Sequence, residues 1–99
     1  MTNRVVVTGL GVLSPFGVGV DSFWSAVKAG ENAVDAWHPP GAEGFPVQHG
    51  ATIKQDTQAL VAEELVDFEL PKHIERRAIY ALIAAKEAIN DARLENELS

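Results

Sequence analysis

Val5, Val6 and Val7 open the chain with an unbroken β-branched run and no polar alternation, the pattern of a strand covered on both faces in a parallel sheet. Gly9 and Gly11 break the run so that a buried strand can turn sharply, and Ser14-Pro15 with Gly17 and Gly19 prolongs the irregular stretch. The period then changes. Phe23, Ala26 and Val27 share one face at helical spacing, which predicts a short helix over Asp21–Gly30. Asp21 or Ser22 is placed to cap its first turn, Lys28 sits in the last turn, Gly30 supplies the stop, and Trp24 is expected at the edge of the same core. Glu31–Gly44, with Pro39, Pro40, Gly41 and Gly44, shows no sustained period and is expected to be a connecting loop. Val47, His49, Ala51 and Ile53 alternate with Gln48, Gly50, Thr52 and Lys54, which predicts a strand over Val47–Lys54 with one polar face.

Two more helices follow in the pattern. Asp56 is placed to cap one that runs to about Asp67, with Leu60, Val61, Leu65 and Phe68 apolar. Pro71 precedes the other, over Lys72–Arg93, where Ile74, Ala78, Ala81, Ala85, Ala88 and Ala92 recur as a narrow stripe of small side chains that lets another backbone approach. Leu82, Ile83 and Ile89 widen that surface and predict a largely buried helix. Glu95–Ser99 is expected to fray. The sum is inconsistent as a free-standing fold: a two-stranded sheet is marginal, and a run as apolar as Val5–Val7 needs neighbours on both edges. The pattern looks like the beginning of something larger.

Composition narrows the function classes. With a formal charge of −6, broad attraction to nucleic acid or an anionic membrane is not expected, and no apolar run reaches the length of a membrane span. No apolar leader core precedes the first strand, so a cytoplasmic protein is the expectation. The chain holds no cysteine, which excludes disulfides, cysteine-based zinc sites and a thiol nucleophile within these residues. Five acids and no base lie between Asp56 and Glu69, the mark of a solvated face.

The chemical motifs mostly fail on inspection. Gly9-Leu10-Gly11 starts a dinucleotide fingerprint, but Ser14 holds the third glycine position, Pro15 follows, and the helix begins too late to seat a phosphate. A small nucleotide-binding module is therefore the weakest of the readings. Ser14 is no nucleophile elbow, since Val12 and Phe16 stand where glycines are required; a serine before proline more often caps or turns. His73-Ile74-Glu75 echoes the H-x-E of zinc deaminases without the partner cysteines, and neither His38 nor His49 has a ligand-spaced neighbour. No carboxylate pair can be placed within catalytic reach from the sequence. No metal or cofactor site is expected.

Taken together, the motifs resemble the N-terminal part of a β-ketoacyl-acyl carrier protein synthase, a condensing enzyme of the thiolase-like family. Val5-Val6-Val7-Thr8-Gly9-Leu10-Gly11 through Ser14-Pro15-Phe16-Gly17 is similar to the family's first strand and loop. Phe23-Trp24 through Gly30, Phe45-Pro46-Val47-Gln48, and Tyr80 through Leu94 match its next elements in order. Arg93 stands where the family usually has a helix-ending glycine, which calls for a differently built C-cap.

The resemblance implies an α/β fragment of a thiolase-like fold: β-strand, glycine loop, helix, strand, helices. It is incomplete as a domain, residues 1–99 being the N-terminal portion of a ketosynthase-like domain truncated before the catalytic cysteine and histidines. It implies an acyltransferase that condenses acyl and malonyl thioesters in fatty acid or polyketide synthesis, with this stretch inactive alone. Its substrates ride on the phosphopantetheine of an acyl carrier protein, and the parent is a homodimer or a ketosynthase heterodimer. The alternative is a non-catalytic, chain-length-factor-type partner of a ketosynthase, which shares this pattern. It also implies that Lys72, with His73, Arg76 and Arg77 beside it, docks the acidic carrier protein. The same residues equally suit solvated bases that offset the acidic segment before them.

Overall fold

Helices provide most of the framework. The computed structural model describes residues 3–38, 41 and 43–95. A hairpin of β1 (Leu13–Ser14) and β2 (Gly17–Val18) leads into α1 (Val20–Ala29). Then come β3 (Asp35–Ala36), β4 (His49–Gly50), α2 (Thr57–Glu64) and α3 (Arg76–Asp91). Both strand pairs are antiparallel, with Leu13 opposite Val18 and Asp35 opposite Gly50. The class is mixed α/β. The core is the seam between α2 and α3, where Leu60, Leu65, Ile79 and Ile83 are buried and Leu13, Val18, Ile53 and Ile74 pack on them.

The local signals place α2 well. Asp56 caps it, its carboxylate accepting from the Ala59 amide at 3.3 Å, as its short side chain allows. The helix ends at Glu64, earlier than the pattern suggests, because Leu65 leaves the helical path and is buried. The unpaired carbonyls of the last turn need donors. Lys86 of α3 supplies one, its Nζ donating to the Glu64 carbonyl at 2.6 Å while lying 5.9 Å from the centre of the Phe68 ring. Ser14 acts as a turn residue: its buried hydroxyl accepts from the Phe16 amide at 3.2 Å.

Several expectations need correction. Val5–Val7 pair with no strand: Val5 is 91% and Val7 80% exposed. The two strand pairs among the described residues are two residues long per strand and lie elsewhere, so none of these residues offers this run a ladder. The Val47–Lys54 strand shrinks to His49–Gly50, and its partner β3 falls inside the segment expected to be loop. Pro39, Pro40, Ala42 and the tail from Asn96 onward lie outside the described residues. α3 starts at Arg76 rather than Lys72: Lys72 and His73 form a turn, Ile74 packs on the core, and Glu75 sits at the N-cap. Nor is α3 largely buried, since Ala78, Ala81 and Ala85 face outward. On α1, Val27 and Trp24 are exposed and only Ala26 is fully covered.

Much apolar surface is left uncovered, Val5, Val7, Val47 and Val66 among it. The accessible surface of 8033 Å² compares with about 5,500 Å² for a compact monomer of this mass. The radius of gyration of 16.9 Å compares with about 13 Å. No helix among the described residues is long and apolar enough to cross a membrane.

Two helices end in the same way on different residues. After α1, the Gly30 amide donates to Val27 and the Glu31 amide to Ala26, with Gly30 at φ 74°. After α3, the Arg93 amide donates to Asn90 and the Leu94 amide to Ile89, with Arg93 at φ 61°. Both are Schellman closures. The expectation of a differently built cap is thus overturned, because Arg93 accepts the left-handed conformation that glycine takes freely. Arg93→Gly is expected to stabilise the protein by about 1 kcal/mol, measured by urea denaturation. Destabilisation would mean that the arginine side chain contributes more than its backbone strain costs.

Candidate functional site

The basic side chains at 72–77 gather at one end of α3. Lys72 and His73 lie in the turn before the helix, Arg76 and Arg77 in its first turn, and all four are exposed. No acid occupies that first turn, and the Glu75 side chain caps no amide. A helix N-terminus carries partial positive charge, so bases placed there add to its field instead of balancing it. Glu75 offsets one base only, pairing with Arg77 Nε at 2.6 Å; the two side chains are 65% and 85% exposed. The arrangement is a solvent-facing cationic surface on a chain of net charge −6, suited to an anionic partner and lacking any enclosed place for chemistry.

The other end of α3 is tied to the glycine loop, through residues to which the sequence pattern assigns no role. Glu87 accepts from two amides, Val12 through Oε1 at 2.8 Å and Val20 through Oε2 at 2.9 Å. One turn on, Asp91 accepts from the Leu10 amide at 3.0 Å. A single helix edge therefore holds the backbone from Leu10 to Val20. The Val20 bond also explains why neither Asp21 nor Ser22 caps α1: Gly19 is at the N-cap, no side chain caps it locally, and Glu87 supplies the acceptor from 67 residues away.

Gly9 and Gly11 make this approach possible. A Cβ on Gly11 would overlap the Ala84 carbonyl oxygen and stand 2.8 Å from the Ala88 amide nitrogen. One on Gly9 would overlap the Ala88 carbonyl oxygen and stand 2.8 Å from the Ala92 amide nitrogen. Neither glycine is among those with positive φ, so they serve close approach and not a sharp turn. The expected alanine stripe is correct at Ala88 and Ala92, and Ala84 replaces its exposed members. The legible signal was Glu87-Ala88 followed four residues later by Asp91-Ala92, opposite a G-x-G pair: acceptors flanked by small residues on one helix edge.

The family comparison covers the stretch that holds these features. The model described as "Beta-ketoacyl synthase, N-terminal domain" matches residues 2–99. The chain is 36% identical over 93 residues to the tetracenomycin polyketide synthase ketoacyl synthase beta subunit of Streptomyces glaucescens, covering 94% of this chain and 22% of that protein. It is 36% identical over 95 residues to putative polyketide beta-ketoacyl synthase 2 of Streptomyces cyaneus, covering 94% and 21%. It is 33% identical over 92 residues to 3-oxoacyl-[acyl-carrier-protein] synthase 2 of Staphylococcus aureus (strain COL), covering 93% and 21%. The α/β chain with its glycine loop clasped to α3 belongs to the β-ketoacyl synthase family, through its match to that family's N-terminal domain. It spans about a fifth of the length of the curated relatives it matches.

Proposed function

We propose that the chain is the N-terminal portion of a β-ketoacyl-acyl carrier protein synthase that elongates acyl chains in fatty acid or polyketide synthesis. The observation that carries this reading is the family match across residues 2–99, in a stretch that spans only about a fifth of its relatives. In this reading Val5–Gly9 is a central strand of a thiolase-like sheet, paired by later segments of the same protein, and α3 packs against that sheet. The exposure of Val5 and Val7 supports it, since such a run is stable only when covered. The protein is cytoplasmic and works as a homodimer or a ketosynthase heterodimer, with no cofactor of its own.

The chemistry lies outside these residues. A cysteine thiolate further along takes the acyl group from a carrier phosphopantetheine; cysteine suits the step as a strong nucleophile near neutral pH. Two histidines assist loss of CO₂ from the malonyl thioester and stabilise the enolate, whose carbon attacks the acyl-enzyme and returns the thiolate. The 99 residues contribute scaffold and docking. Lys72, His73, Arg76 and Arg77 meet the acidic carrier protein at the exposed, positive end of α3. Rim charges of this kind steer encounter and are screened by salt.

The test is condensation by the full-length protein with acyl- and malonyl-carrier protein, read by mass spectrometry, with the 99-residue stretch alone expected to give no product. Turnover by the stretch alone would overturn the fragment reading, and a full-length protein active only beside a second ketosynthase would identify the non-catalytic partner. The double charge reversal Lys72→Glu with Arg76→Glu is expected to raise KM for the carrier-borne substrate about tenfold, equivalent to about 1.4 kcal/mol, and to leave kcat unchanged. An unchanged KM and an unchanged salt dependence would remove docking from this patch.

A further inference from the structure

We propose that residues 12–20 form a strap that opens and closes as one unit, latched to α3 by the carboxylate of Glu87. The strap is closed upon itself: the Gly19 amide donates to the Val12 carbonyl at 2.9 Å, Leu13 pairs with Val18 and Ser14 with Gly17. The Ser14 hydroxyl also takes the Phe16 amide inside the turn. Among side chains one alone, Glu87, holds its two ends from outside, accepting from Val12 with one oxygen and from Val20 with the other, while the Gly19 carbonyl accepts from the Phe23 amide of α1 at 3.3 Å. Those are the only side-chain hydrogen bonds from α3 to the strap among the described residues. The neighbouring Leu10 amide is held separately by Asp91.

Internal bonds that survive a movement and a shared external tether that does not are the conditions for a cooperative local opening. Leu13 and Val18 are half-buried and pack on the α2–α3 core, so lifting the strap also breaks those contacts and the open state is the minor one. The strap also forms one wall of a half-open cavity of about 670 Å³. Val18, Gly19 and Val20 line it together with Ile83, Lys86 and Glu87 of α3. Opening removes the wall, so the latch sets how closed the cavity is.

Site-resolved amide hydrogen exchange on the full-length protein tests the unit. Val12 and Val20 are expected to share one protection factor, and Glu87→Gln, which leaves a single acceptor oxygen, is expected to lower both together by about tenfold. Gly19, bonded within the strap, and Leu10, bonded to Asp91, are expected to stay protected; Asp91→Asn should expose Leu10 alone. The proposal is overturned if Val12 and Val20 respond separately, or if Gly19 loses protection with them, since the hairpin is then unfolding and not lifting. Should Glu87→Gln fail to fold, the same comparison in the unsubstituted protein at low urea decides. Val12 and Val20 must then share one denaturant slope and Gly19 must have another.

Discussion

Gly11→Ala is expected to destabilise the full-length protein by about 3 kcal/mol, at the upper end for overpacking a well-fitted site. The added methyl would meet backbone: the Ala84 carbonyl and the Ala88 amide of α3. A side chain can swing away from a clash, but a helix must shift as a body or break a hydrogen bond. For the same reason Ala84→Gly is expected to give no rescue, since it removes no clashing atom and adds its own helix cost of about 1 kcal/mol. Urea denaturation of the single and double variants measures both. A loss below about 1 kcal/mol for Gly11→Ala would mean that α3 and the glycine segment separate easily, and that the clasp is loose.

Glu87→Ala is expected to cost about 3 kcal/mol, and Glu75→Ala less than about 1 kcal/mol, although Glu75 makes the shorter contact. Glu75 pairs with Arg77 in open solvent, where water and salt screen the attraction and two flexible side chains must be held still. Glu87 is half-buried and accepts from two backbone amides that have no other partner among the described residues. Its loss leaves both donors unmatched, and an unmatched donor costs more than a made bond returns. Equal effects from the two substitutions, read in the same urea series, would show that solvent replaces Glu87 as readily as it replaces Glu75.

The difference between what the sequence made legible and what it hid follows the range of each interaction. Asp56 caps α2 within one turn and Gly30 ends α1 within one turn, and both could be read directly. The start of α1 could not, because its acceptor, Glu87, is 67 residues away. The Val5–Val7 run was legible as a strand in composition, but a strand is a property of neighbours, and none pairs with it among the described residues. The basic residues Lys72, His73, Arg76 and Arg77 could be placed because residue type and exposure are local attributes. Glu87 and Asp91 appeared within a recognised pattern without a role, since their partners are amides that carry no side-chain signature. Arg93 shows the converse: the residue type argued against a glycine-like cap, and the hydrogen bonds of the last turn imposed it regardless.

The lysine that closes α2 has a use of its own. Lys28, Lys54 and Lys72 are exposed, Lys54 donating only a long 3.4 Å bond to the Thr52 hydroxyl, whereas Lys86 is half-buried, with its amine committed to the Glu64 carbonyl beside Phe68. Acylating reagents need an amine that is free and deprotonated, so the first three will be labelled quickly and Lys86 slowly for as long as α2 and α3 stay docked. The relative labelling rate of Lys86 is thus a built-in reporter of that seam, readable by peptide mass spectrometry in crude mixtures and without any engineered probe.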